Sequence, residues 1–97
     1  MSVVGAKFRL GQIMWTRGVN ELIAKDEKFA KFVAESLGRH ALGVWGDMTK
    51  EDKEENEYSL GKYLRIFSAY NYSDGRKIWI ITEADRSATT ILFPDEY

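Results

Sequence analysis

The chain contains no cysteine, a single histidine and a single proline in 97 residues. Without thiols it can build neither a disulfide framework nor a thiolate metal cluster, and it suits a reducing compartment. With His40 as the only imidazole, carboxylates are the only plentiful metal ligands, and they favour hard ions over zinc. No residue pattern calls for a metal or a cofactor. Charge of one sign is also lacking: 14 Lys and Arg stand against 15 Asp and Glu, a formal net charge of -1. No sequence-wide field therefore draws the chain to nucleic acid or anionic lipid, and neither nucleic acid nor a membrane is an expected partner. Long apolar runs are missing too. Lys7 and Arg9 interrupt the opening Met1 to Leu10, too brief and too charged for a signal peptide or a spanning helix, so the expected address is cytoplasmic. Gly38, Gly43 and Gly46 fit neither the dinucleotide nor the P-loop spacing.

What is present is apolar content of 44%, enough for one core and hardly two, so residues 1–97 are expected to form a single domain. "FRLGQIMW", Phe8 to Trp15, predicts a first strand, with Gly11 a weak point in its middle. Val19, Leu22 and Ile23 share one face of a short helix with Thr16 as its candidate N-cap, breaking near Lys25. Asp26 opens a second helix whose stripe is Phe29, Phe32, Val33 and Leu37 and whose expected C-cap is Gly38. Thr49 heads a third, strongly charged helix, with Asp52 in the capping-box position. From Tyr63 the period is that of a sheet. "YLRIFSAY" and "KIWIITE" flank Asp74-Gly75, a hairpin signal, and Thr89 to Phe93 adds a third run before Pro94. Ile78 to Ile81 is apolar at every position, so the Lys77 to Thr82 strand should be central and covered on both faces. The expected fold is α+β: a short N-terminal strand, two to three helices, then a three-stranded antiparallel meander, with the helices on one sheet face.

Candidate chemistry concentrates in "TEADRSATT", residues 82 to 90. Glu83 and Asp85 beside Arg86 offer carboxylates that could coordinate or accept protons and a planar fork for an anion. The structural alternative is a turn: an Asx-turn at Asp85, an ion pair from Arg86 to a carboxylate, and a partly buried cluster fixing the last two strands. His40 has no nucleophile motif beside it and reads as a helix C-terminal capping donor. Trp45, between glycines in "GVWGD", can pack or can serve with Asp47 as an interaction surface. No catalytic residue is assigned.

The segment Lys77 to Tyr97, Trp45-Gly46-Asp47, Glu51-Asp52-Lys53, Asn56 and the opening "GQIMWTRGVNELI" together resemble a family of small bacterial proteins labelled plasmid-related or hypothetical. Arg17 departs from the family's proline after the threonine of that opening. The resemblance implies a bacterial cytoplasmic protein of an accessory or mobile element, and no activity. The leading expectation is a non-enzymatic protein-interaction or regulatory module. Two alternatives stand beside it. One is a small toxin-like ribonuclease, suggested by the layout and by Lys62, Arg65, Arg76, Lys77 and Arg86 in the sheet half. The other is an inhibitor of a host defence nuclease, suggested by the acidic run from Glu51 to Glu57.

Overall fold

The computed structural model describes residues 5–97. Met1 to Val4, part of the opening stretch weighed above as a targeting signal, lie outside the described residues. In chain order the elements are β1 (Gln12–Trp15), α1 (Arg17–Lys25), α2 (Glu27–Ala41), α3 (Lys50–Lys62), β2 (Ile66–Asn71), β3 (Lys77–Thr82) and β4 (Ala88–Leu92), followed by a 3-10 turn at Pro94–Glu96. β2, β3 and β4 form the expected antiparallel meander. β1 joins at the β4 edge but runs parallel to it, giving the order β1-β4-β3-β2. The sheet is therefore mixed: with three helices between β1 and the meander, the chain has room for the long crossover that a parallel pair requires.

The first strand is half as long as its composition suggests, because Gly11 adopts φ +65 and breaks the extended run. A Cβ at Gly11 would sit 2.3 Å from the Ser87 carbonyl, so the position requires glycine on steric as well as conformational grounds. Thr16 does occupy the N-cap of α1, yet its side chain caps nothing there. Its hydroxyl donates instead to Glu96, whose other carboxylate oxygen accepts the Gly18 amide at 2.9 Å. An acid from the far end of the described chain thus satisfies the start of the first helix, where negative charge is favoured. Burial works against ionisation of Glu96, but its bonds from Thr16, Gly18 and Phe93 prevail and hold its pKa below the ordinary value.

Asp26 caps α2 as expected, accepting from the Phe29 amide at 3.1 Å. Gly38 does not end that helix. It continues through His40 to Ala41, and Gly43, at φ +79, supplies the left-handed residue. Gly43 N–H donates to the His40 carbonyl at 3.1 Å and Val44 N–H to that of Arg39 at 2.9 Å, a Schellman closure. Thr49 caps α3 through the Asp52 amide at 3.1 Å, and no bond returns from the Asp52 carboxylate. Phe29, Val33 and Leu37 are buried against Ile78, Ile80 and Ile91, so the stripe of α2 covers one sheet face, with Phe32 packed at its margin. β3 is central, as its apolar run implies, and Trp79 on its other face is only half-buried.

Candidate functional site

His40 is fully buried, on the sheet-facing side of α2. Its Nδ1 meets the Ser68 hydroxyl on β2 and its Nε2 lies 2.9 Å from Thr82 Oγ1 on β3. Thr82 Oγ1 is 2.7 Å from Thr89 Oγ1, which donates to the Leu10 carbonyl at 2.7 Å. Each hydroxyl has one proton, so the direction of every bond follows. Thr89 gives its proton to Leu10, Thr82 must then donate to Thr89, and His40 Nε2–H must donate to Thr82. Nδ1 is left bare to accept from Ser68. The imidazole is neutral, and burial lowers its pKa from 6.5 to about 3. Phe8 and Trp45 close over it edge-on, with centroids at 5.2 and 5.9 Å. The expected capping role is therefore wrong. A serine and a histidine share a bond here, but the ring is sealed beneath aromatics and pinned by two bonds, which is the arrangement of a satisfied core group.

The "TEADRSATT" turn is built around Arg86, a non-glycine residue at φ 62 that is 6% exposed. Its Nη1 donates to the carbonyls of Leu64, Ala84 and Glu83 at 2.7, 3.0 and 3.2 Å, and Nη2 to that of Ser59 at 3.1 Å. The expected carboxylate partner is not used: no ion pair of Arg86 occurs among the described residues. The guanidinium instead ties the α3 end, the approach to β2 and its own turn together through backbone oxygens, which repays the cost of a left-handed arginine. Asp85 makes the expected Asx-turn to the Ser87 amide at 2.9 Å, and its pKa is lowered by its hydrogen bonds from Ser87. Glu83 lies 3.7 Å from Arg65. The three residues thus share a loop but form no common carboxylate–guanidinium site.

Trp45 is 4% exposed, so it offers no anchor to a partner. Its Nε1 donates to Glu57 on α3 at 2.7 Å, and its ring stacks on Phe8 at 6.2 Å, with the Arg86 guanidinium 5.8 Å from the centroid of that same Phe8 ring. Asp47 is exposed but committed: its carboxylate accepts the Asn71 amide at 2.9 Å. Both residues belong to a cover over the free edge of β2. The Ala69 carbonyl accepts from Asp47 N–H at 2.7 Å, and Ala69 N–H reaches the Trp45 carbonyl at 3.3 Å. Asn56 of α3 completes it, accepting from Phe67 N–H at 3.1 Å and donating to the Phe67 carbonyl. Phe67, Ala69 and Asn71 are the outward-facing residues of β2, and all three are occupied. Gly46 permits this approach, since a Cβ there would stand 2.1 Å from the Ala69 oxygen.

The opposite edge is built differently. Gln12 N–H donates to the Ser87 carbonyl and Thr16 N–H to that of Ile91, so the even-numbered residues of β1 face β4. Ile13 and Trp15 therefore turn their backbone groups outward, and no strand pairs with them among the described residues. β1 carries no charge and no proline, and Met14 and Trp15 are 41% and 46% exposed. Beside it runs a groove of about 370 Å³ walled by Ile13, Trp15, Ile23, Ala30, Ala34 and Leu37 among others. Small residues at Ala30 and Ala34, one helical turn apart, leave this space between α2 and the strand. Sequence reasoning marked the strand but not the groove; the signal was the pair of alanines one turn apart beside the Phe29, Val33, Leu37 stripe.

No protein-family model, no curated protein and no solved structure matches the chain. Among the described residues no three acids or histidines converge as a metal site, and no helix is long and apolar enough to cross a membrane.

Proposed function

We propose that this chain is a non-enzymatic protein-interaction module, an accessory protein in keeping with its likeness to plasmid-related bacterial proteins, and that it engages its partner through β1. The contrast between the two sheet edges carries this reading. Unpaired edges are normally covered or charged. β2 is covered by a backbone bridge, an asparagine and an aspartate, whereas β1 has an uncharged strand, two exposed large side chains and an apolar groove. Strand addition to such an edge draws affinity from main-chain bonds and specificity from the adjoining pocket. The ribonuclease alternative gains little from the same geometry. Of the five basic residues of the sheet half, Arg65 and Arg76 lie 3.7 and 3.2 Å from Glu83 and Asp74 and Arg86 is buried among carbonyls, which leaves Lys62 and Lys77 to hold a phosphate backbone.

The test is affinity capture from bacterial lysate with wild-type protein and Ile13→Pro, which removes an outward donor without touching the β4 ladder. Circular dichroism would establish that the variant is folded. A partner held by wild type and lost by the variant is expected. Recovery of nothing, or of the same proteins by both, defeats the proposal.

A further inference from the structure

Resting on that interaction reading, we infer that the partner engaged through β1 is a second copy of this chain, the two strands adding antiparallel across a two-fold axis at Met14. The available backbone groups fix how they meet. Ile13 and Trp15 turn theirs outward. Gly11, at φ +65, breaks the run on one side, and α1 begins at Arg17 on the other. An antiparallel neighbour exchanges two bonds with each outward residue it faces. With Ile13 opposite Trp15 of the second copy, and Trp15 opposite its Ile13, all four bonds form. A register moved by two residues either way sets one outward residue against Gly11 or Arg17 and keeps only half of them.

The side chains are self-complementary in the same register. Ile13 and Trp15 both line the groove on the α2 side of the sheet, with Ala30, Ala34 and Leu37 across from them. Trp15 is 46% exposed. Facing Ile13 across the axis, Trp15 of the second copy closes the mouth of the groove, and its own groove receives Trp15 in return. Knob and hollow thus belong to one surface, as a two-fold interface requires. Charge does not oppose the pairing: β1 and the groove lining carry none, and Lys31 on α2 stands one turn from both Glu27 and Glu35. The assembly is also closed. β1 is the open edge of each sheet, so joining two four-stranded sheets there leaves β2 at both ends, where the backbone is already covered.

Light scattering across a dilution series of the full chain tests this. Wild type should be a concentration-dependent dimer and folded Ile13→Pro a monomer, and Trp15→Ala should raise the dissociation constant by roughly tenfold or more. Because the chain has no cysteine, a single introduced thiol reports the register. Met14→Cys lies opposite itself, with Cα atoms about 4.5 Å apart and within disulfide reach. Gln12→Cys faces Thr16 instead and lies roughly 13 Å along the strand from its own mate. Mild oxidation should therefore cross-link Met14→Cys at least about tenfold faster than Gln12→Cys. Equal rates overturn the register and the inference with it. A dimer that persists in Ile13→Pro places the contact elsewhere and overturns it too. In a lysate that also holds untagged chain, affinity capture should retain that chain with wild type and lose it with Ile13→Pro. A monomer at the highest soluble concentration overturns the second copy. Capture of a different protein that Ile13→Pro loses would then leave the β1 reading standing, and capture of nothing would end both.

Discussion

Titration of His40 should dominate the stability of this protein between pH 7 and pH 5. In the fold the imidazole is neutral, with a pKa lowered to about 3 by burial, against 6.5 when exposed in the unfolded chain. Between those values the unfolded chain binds a proton that the folded chain refuses. Unfolding is therefore driven by acid: stability is full above 6.5 and falls as pH drops towards 3. The limiting slope is about 1.4 kcal/mol per pH unit. Integrated from pH 7 to pH 5, with the curvature near 6.5 included, the loss is about 2 kcal/mol, a large share of the stability of a domain this size. Asp85 and Glu96, whose pKa values lie below the ordinary range, are ionised in both states across this window and add their own losses only at lower pH. Urea unfolding followed by tryptophan fluorescence at pH 7, 6 and 5 measures the effect, since Trp45 packs on the His40 ring. A His40→Gln variant should be less stable at pH 7 but nearly flat from 7 to 5. A wild-type profile as flat as that of the variant would refute the buried neutral imidazole and the directed hydrogen-bond chain derived from it.

Arg86→Ala should lower stability by about 3 kcal/mol, because four carbonyls lose their shared donor; Arg86→Gly should lose about 1 kcal/mol less, since glycine accepts the left-handed backbone. An unchanged melting temperature for Arg86→Ala would contradict the structural role and return the turn to consideration as a binding site. Asn56→Leu should cost about 2 kcal/mol by leaving the Phe67 amide and carbonyl unpaired, and should raise the aggregation rate as the β2 edge opens; light scattering on heating reads both. Gly46→Ala should leave little folded protein by near-ultraviolet circular dichroism, as its Cβ collides with the Ala69 oxygen and the residue keeps φ +81. Glu96→Gln should cost only about 0.5 kcal/mol at low salt, because the site is exposed, and the deficit should shrink as ionic strength rises.

Local rules carried the sequence-based expectations a long way. Asp26 and Thr49 cap their helices because short oxygen-bearing side chains before an amphipathic run do so from nearest-neighbour geometry alone. The β3 strand is central, as its four consecutive apolar residues imply, although Trp79 leaves its second face only half-covered. The failures lie where a distant residue decides. Gly38 is an adequate helix terminator, but the Schellman bonds and His40 under the sheet carry α2 a further turn. Arg86 suggested a carboxylate and found backbone oxygens from Ser59 and Leu64, which no spacing within its own loop could announce. Asn56 read as part of a charged helix and Asp47, with Trp45, as a candidate interaction surface, and their work at the β2 edge depends on tertiary placement. The open edge of β1 was equally hidden, since a strand does not declare which neighbour it lacks.

The parallel pairing of β1 with β4 also determines how this domain bears mechanical load. The two strands run in the same direction, with Gln12 opposite Ala88 and Trp15 opposite Ile91. Tension entering at Gln12 and leaving beyond Leu92 pulls the strands past one another along their common axis, so the inter-strand bonds share the force and must fail together. An antiparallel β1 hung from the same edge would be peeled from one end, each bond meeting the whole force in turn. Orientation of a four-residue strand thus sets a shear-loaded clamp across the sheet, and resistance to pulling becomes a property of the unfolding barrier rather than of overall stability.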